Sequence, residues 1–480
     1  MENIKKWPII KIPAKASVWY VVSSGIARAI GALSTPIFTR LLTPNEYGLY
    51  PLYNTWIGVL SVLVTLELTG NAIYRGFQKY EDKRDVFLSA ALGLLGTIFF
   101  AFCTLYFAFY GILKRFIGLD LRISIFMLTQ IFASAVISLY LAKARFEYKY
   151  KAVAALNLLS AIVIPFSAVL IILLSNVRAE ARIYASSATT LLIAIPIAVL
   201  ILRQSEKLYS GEMWRYMLRR SIPLLPHYLA TALILKAIEI SINRSHSTEA
   251  LGQYSIAMSV GMILTVVTGG ILSALSPWII RKLREGSIDK VRDFLLPVTI
   301  ALSLLALLIL AFAPEILSFL AAEGFREALP AVYPLEIAVI FSFLSSAVMS
   351  GCTYYERGGI ASVPSLVSAL TSVLLSLFIL PRVDYRLASF IALTSYFILF
   401  LFTTLVFKKL SGEYPLNFEK CAIPLLLALS YAVLLFVFRD ILLSRIFLAI
   451  PLIRRIFLAL LNLILFPNFQ RFQCRRVFQA

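Results

Sequence analysis

Acidic residues are scarce in this chain. Its 480 residues include 25 Asp and Glu against 45 Lys and Arg, and charged residues of both signs make up only 15%. The chain is 60% hydrophobic, with a mean hydropathy of +0.86. That is too apolar for a soluble domain, and repeated long apolar runs mark a polytopic membrane protein. Histidine is down to His227 and His246, and cysteine to Cys103, Cys352, Cys421 and Cys474, with no C-x-x-C pair. Such sparse cysteine does not fit a disulfide framework or a thiolate metal site; a cysteine inside an apolar run packs as a small hydrophobe. Neither HExxH nor G-x-x-x-x-G-K-[ST] occurs, so no zincin helix and no ATP-driven engine is written into this chain. No connection is long enough to fold as a separate soluble domain. The outer loops carry scattered acids such as Glu46 and Glu249 but no paired carboxylates. A membrane polysaccharide polymerase or ligase needs catalytic groups on a long outer loop, so an enzyme is the least favoured class. The basic N-terminus, MENIKKWPIIKIPAKAS, has its apolar piece broken by Lys11 and lacks a small-residue cleavage site, unlike a cleaved signal peptide.

What is there is a series of about fourteen apolar stretches of membrane-spanning length, from 17–39 and 47–69 through 222–243 to 441–466. The last is cut by Arg454 and Arg455, which leaves open whether it spans. Lys and Arg are more than twice as frequent in one alternating set of connections as in the other. The positive-inside rule then places both termini in the cytoplasm, with the chain in an inner or plasma membrane. Loop placement explains most of the +20 charge without nucleic acid. The longest connection, 203–221, sets Trp214, Tyr216, Met217 and Leu218 beside Arg215, Arg219 and Arg220. It reads as a short helix on the cytoplasmic surface or as a charged linker.

The chain also repeats itself. Arg40 is followed by seven residues, Gly48, one residue and Tyr50; Arg244, Gly252 and Tyr254 have the same spacing. Arg84-Asp85 and Arg292-Asp293 agree at a similar offset. Two copies of six spans have the same orientation, and such parallel repeats place a ligand site between lobes near mid-membrane. The expected organisation is an N-terminal lobe over 1–202, a cytoplasmic linker over 203–221, a C-terminal lobe over 222–407, and an addition over 408–480. The fold class is thus all-α and polytopic: about fourteen transmembrane helices, in two six-helix parallel repeats plus two C-terminal helices.

Charges inside the spans single out the candidate site. Arg28 lies about 16 Å along the first span from Ser17, close to mid-membrane, where insertion costs roughly 2.5–3.5 kcal/mol. It stands among Ser23, Ser24, Gly25, Ser34 and Thr35, as on a helix with one face toward lipid and one toward a polar interior. Lys236 and Glu239, three residues apart in span seven, share one helical face. Lys236 reads either as a second cavity cation for an anionic ligand, or as the partner of Glu239 or a snorkelling surface residue. Glu67, near the cytoplasmic end of span two, pairs with Arg75 or serves a coupling cation. Pro36, Pro223 and Pro226 are candidates for bends in the first helix of each lobe.

The segment PIFTRLLTPNEYGLY, followed by Gly70-Asn71-Ala72-Ile73-Tyr74-Arg75, resembles oligosaccharide flippases of the polysaccharide-transporter (Wzx/RfbX-like) family. That family lies within the multidrug/oligosaccharidyl-lipid/polysaccharide (MOP) exporter superfamily, to which the MATE transporters also belong. The resemblance is strongest over 17–90 and recurs in SIPLLP and TEALGQYSIA at the start of the second half. It implies a fourteen-helix, two-lobed transporter that moves polyprenyl-diphosphate-linked oligosaccharide from the inner to the outer leaflet. It implies Arg28 as the diphosphate-binding arginine of the first helix, and Lys236 joins it as a candidate. Membrane lipids are implied as surroundings, a polysaccharide polymerase and glycosyltransferases as candidate partners, and no cofactor beyond a coupling Na+ or H+. Members often carry an Asp-Arg pair late in span seven, where this chain has Glu239 and Ile240. A cation-coupled drug or small-molecule antiporter of the same superfamily is the alternative, and would use buried carboxylates as its main cavity charges.

Overall fold

The computed structural model describes residues 11–69, 71–204, 207–355, 362–416 and 418–437, and among these it is all helical. In hydrocarbon every backbone N–H and C=O must be bonded within the segment, so apolar runs of this length become helices. Helix α1 spans Lys11–Leu41, α2 Pro44–Thr65, α3 Asn71–Lys79, α4 Arg84–Ala108 and α5 Tyr110–Ile117. Then come α6 Leu121–Phe146, α7 Tyr150–Leu174, α8 Ala181–Arg203, α9 Gly211–Ser221 and α10 Leu225–Ser245. The remainder are α11 Thr248–Arg284, α12 Ile288–Ala311, α13 Ala313–Leu320, α14 Leu329–Tyr354, α15 Val363–Phe378, α16 Ala388–Ser411 and α17 Phe418–Val437. Ten helical runs among the described residues are long and apolar enough to cross a membrane, which makes this a multi-pass membrane protein. Helices α1 and α2 are not among the ten. Every expected span within the described residues coincides with a helix. The 441–466 stretch, with Arg454 and Arg455, lies outside them.

The second span ends earlier than the apolar pattern suggests. Helix α2 stops at Thr65 because Leu66 and Glu67 take left-handed backbone angles, φ 46° and 49°. Non-glycine residues adopt that region at a cost, and here it turns the chain toward α3. Glu67 therefore sits in a turn rather than on a helix face. Its backbone N–H donates to Thr65 Oγ1 at 3.2 Å.

The helices form two compact units. The first holds the described residues through Ser255 together with Leu320–Gly324. In it α1 packs on α7, α6 and α7 on α8, and α2 against both α6 and α10. Its core gathers Phe77, Phe87, Leu88, Leu95, Leu139 and Met217. Helix α9 packs on α3 and α4, burying Met213 and Met217 on one face, and Trp214 Nε1 donates to the Ala90 carbonyl at 2.8 Å. The second unit takes Ile256–Phe319 and the described residues from Phe325 on. There α14 and α15 pack against α16, and α12 packs against α14 and α17.

Candidate functional site

Helix α2 is held on two opposite faces. On one, the Tyr53 hydroxyl donates to Gln130 Oε1 of α6 at 2.7 Å and lies 2.8 Å from the Ser187 hydroxyl of α8. Gln130 Nε2 donates to Ser186 at 2.9 Å, so this buried polar network is satisfied. The other face carries Gly48, Thr55 and Gly58 and meets α10 and the first turns of α11. Thr55 bonds Glu239, and a Cβ on Gly58 would lie 3.2 Å from Lys236 Cε. As numbering rises along α2 it falls along α10, so the two run antiparallel.

The repeated glycines meet at one end of this contact. A Cβ on Gly48 would stand 1.9 Å from the Thr248 carbonyl oxygen, and one on Gly252 2.4 Å from the Pro44 carbonyl oxygen. Thr248 and Pro44 each precede the glycine of their own helix by four residues. The two segments therefore cross as near-equivalent halves, backbone against backbone, an approach open only to glycine. The chain entering this crossing is fixed locally. Thr43 and Glu46 form a capping box: the Glu46 N–H donates to Thr43 Oγ1 at 3.3 Å, and the Thr43 N–H to Glu46 Oε2 at 2.9 Å. Arg178 donates to the Leu41 carbonyl and approaches Glu46 at 3.6 Å. Arg182 stacks over Phe38 and Tyr50 at 4.2 and 4.1 Å.

Lys236 Nζ donates to both Glu239 oxygens, at 2.9 and 2.8 Å, and the Thr55 hydroxyl donates to the same carboxylate. The Glu239 side chain is 5% exposed and that of Lys236 27%. Of the two readings of Lys236, the ion pair with Glu239 is the one observed here. The arrangement follows from their spacing: i, i+3 residues are neighbours on a helix, and a buried charge persists when it is paired and hydrogen-bonded.

Arg28 is exposed on α1. Val22, Ile26, Leu33 and Ile37 form an exposed apolar stripe along the same helix. At 3.6 residues per turn, Arg28 stands roughly 150° around the helix from the centre of that stripe. It shares its side with Ser24, Gly31 and Thr35. Among the described residues no carboxylate pairs with it. The structure thus joins Lys236, Glu239 and Thr55, sets Glu67 in the turn after α2, and bonds Arg28 to none of them. The sequence reading did not reach the Thr43–Glu46 box, although T-x-x-E before an apolar run is its signature. It did not reach the Tyr53–Gln130 network either, where a lone Gln inside the apolar α6 is the available signal. No group of three or more His, Cys, Asp or Glu able to hold a metal ion occurs among the described residues.

This is the fold of a class of membrane transporters. The chain is similar to the lipid II flippase MurJ in an inward closed conformation, at 12% identity and a TM-score of 0.70, covering 93% of this chain and 100% of that one. It is similar to an inward-facing multidrug resistance MATE family transporter of the MOP superfamily, at 14% identity and a TM-score of 0.61, over 80% and 96% of the two chains. A MOP superfamily transporter from Pyrococcus furiosus, described as having a binding pocket of reverse polarity that suggests a different function, matches at 13% identity and a TM-score of 0.56, over 88% and 96%. No curated protein matches the sequence. The model of the family described as polysaccharide biosynthesis protein matches residues 14–283, and the chain belongs to that family.

Proposed function

We propose that the protein is a lipid-linked oligosaccharide flippase, which passes the head group of a polyprenyl-diphosphate sugar from the cytoplasmic to the outer leaflet by alternating access. The observation that carries the reading is Arg28: a guanidinium on the polar side of α1, turned from the apolar stripe and, among the described residues, without a carboxylate partner. Family membership and fold support the same reading.

The chemistry fits. A diphosphate is a dense anion, and stripping its water to cross ~30 Å of hydrocarbon is prohibitive. A guanidinium in a wet, protein-walled space replaces lost water contacts with charge-assisted, paired hydrogen bonds. The polyprenyl tail stays in lipid while the head group moves. Lys236 joins Arg28 on the diphosphate only by leaving Glu239, whose buried carboxylate would then need a proton or another partner, so at rest the Lys236–Glu239–Thr55 cluster is neutral. Both termini lie in the cytoplasm, and the Gly48–Gly252 crossing then stands at the outer ends of α2 and α11. Glycosyltransferases that build the head group and a polymerase that consumes it are the partners such a step requires. Coupling to Na+ or H+ supplies direction.

The test is reconstitution. Vesicles containing the protein should move a labelled polyprenyl-diphosphate oligosaccharide to the far leaflet faster than empty vesicles, and should not exchange an organic cation for Na+ or H+. Organic-cation exchange without head-group movement would establish the antiporter instead.

A further inference from the structure

Glu336 lies seven residues into α14, the only charged residue of that helix, and is 0% exposed. Neither of its carboxylate oxygens has a hydrogen-bond partner, and no ion pair reaches it among the described residues. Val332, Ile340, Phe343 and Ala347, which share its helical face, are all buried. The helices packed on α14 bring two further partnerless hydroxyls to similar depth. Ser303 lies eight residues before the end of α12, and Ser395 seven residues after the start of α16. These helix ends belong to the same side of the unit, since the Tyr385–Leu387 turn that leads into α16 packs on α14.

The formal charges of the packed elements stand at helix ends: Asp289, Lys290, Arg292 and Asp293 on α12, Lys408 and Lys409 on α16 and, by sequence position, Glu419 and Lys420 in the first turn of α17. Asp384 and Arg386 lie in the turn before α16, and Arg386 is engaged by Glu327 at 2.6 Å. Other titratable side chains on these helices are Tyr333, Cys352 and Tyr354 on α14, Tyr396 on α16 and Tyr431 on α17, with Cys421 near the start of α17 by sequence position. Among the described residues none pairs with Glu336.

An ionised carboxylate in such a place would be neither hydrated nor paired, a state a folded chain does not support. A carboxylic acid there is neutral, and leaves one O–H unsatisfied instead of a whole unpaired charge. We propose that Glu336 is a proton-binding site: it holds a proton in this conformation and releases it when α12, α14 and α16 part enough to admit water. On release the carboxyl O–H bond breaks, the pair stays on oxygen, and water takes the proton. The site uses none of the residues assigned to the diphosphate, so it goes beyond the substrate reading and is testable apart from it.

The experiment is infrared difference spectroscopy of the full-length protein in lipid vesicles, stepped from neutral to alkaline pH in choline and then in sodium buffer. The expected result is a protonated-carboxyl stretch at neutral pH that shifts in deuterium oxide and persists when sodium replaces choline. It should be lost in Glu336→Gln and moved, not lost, in Glu336→Asp, which keeps the test alive if the Gln variant does not fold. A wild-type spectrum without the band, or a band of equal strength in Glu336→Gln, overturns the proposal. A band abolished by sodium at constant pH overturns it as well, by making the ligand a metal cation.

Discussion

Substituting Gly48 by Ala tests the helix crossing most sharply. The new Cβ would lie 1.9 Å from the Thr248 carbonyl oxygen, and that atom is backbone, so no rotamer change relieves the overlap. A relaxed carbon–oxygen approach is about 3.3 Å, so the segments must separate by about 1.4 Å at this point. A gap of that size forfeits much of the dispersion contact around it, and overpacking of this kind costs about 1–3 kcal/mol. The gain in helix propensity of Ala over Gly, about 1 kcal/mol, does not offset this, because α2 is helical whether the crossing is closed or open. In the proposed cycle the whole cost falls on the closed conformation, and at 1.4 kcal/mol per decade its population drops about 5- to 150-fold against the open one. The exposed Asn45 and Glu249 flank the crossing and accept spin labels. Pulsed electron–electron distance measurement in vesicles should show one short distance in the wild type and a broad, longer one in Gly48→Ala. Gly252→Ala should do the same, and the double variant should add little, since both open one contact. A Gly48→Ala distance distribution identical to wild type would refute the reasoning.

Two further perturbations bear on the framework. Glu239→Ala leaves the Lys236 ammonium and the Thr55 hydroxyl without their shared partner, and should cost about 3–5 kcal/mol in unfolding measurements; adding Lys236→Met should recover most of it. Tyr53→Phe removes a hydroxyl shared by Gln130 and Ser187, and a loss of about 1–2 kcal/mol is expected by the same measurement, with the helix content unchanged.

The architecture was largely legible because lipid leaves few choices: an apolar run of sufficient length must be a helix, and Lys and Arg fall between such runs. The spaced Arg, Gly and Tyr of the repeat marked equivalent positions in two halves, but spacing alone did not reveal that Gly48 and Gly252 face each other. Lys236 and Glu239 were readable as a pair because i, i+3 geometry is local. The Thr55 hydroxyl that completes the pair comes from another helix and has no signature in sequence. The early end of α2 was hidden, since Leu66 and Glu67 are unusual residues for left-handed backbone and Gly70, the expected stop, comes later. Glu336 is a lone acid in AVYPLEIAVIF that the sequence reading passed over in favour of Glu67 and Glu239; only the packing shows that nothing among the described residues bonds to it.

The central claim is that a positive charge at position 28 meets a phosphate-bearing lipid head, and the initial rate of head-group translocation in vesicles holding equal amounts of folded protein tests it directly. Losing charge-assisted hydrogen bonds worth about 1.5–3 kcal/mol should slow Arg28→Gln about 10- to 150-fold. Arg28→Lys, which keeps the charge, should retain most of the rate. Equal rates for wild type and Arg28→Gln would contradict the account.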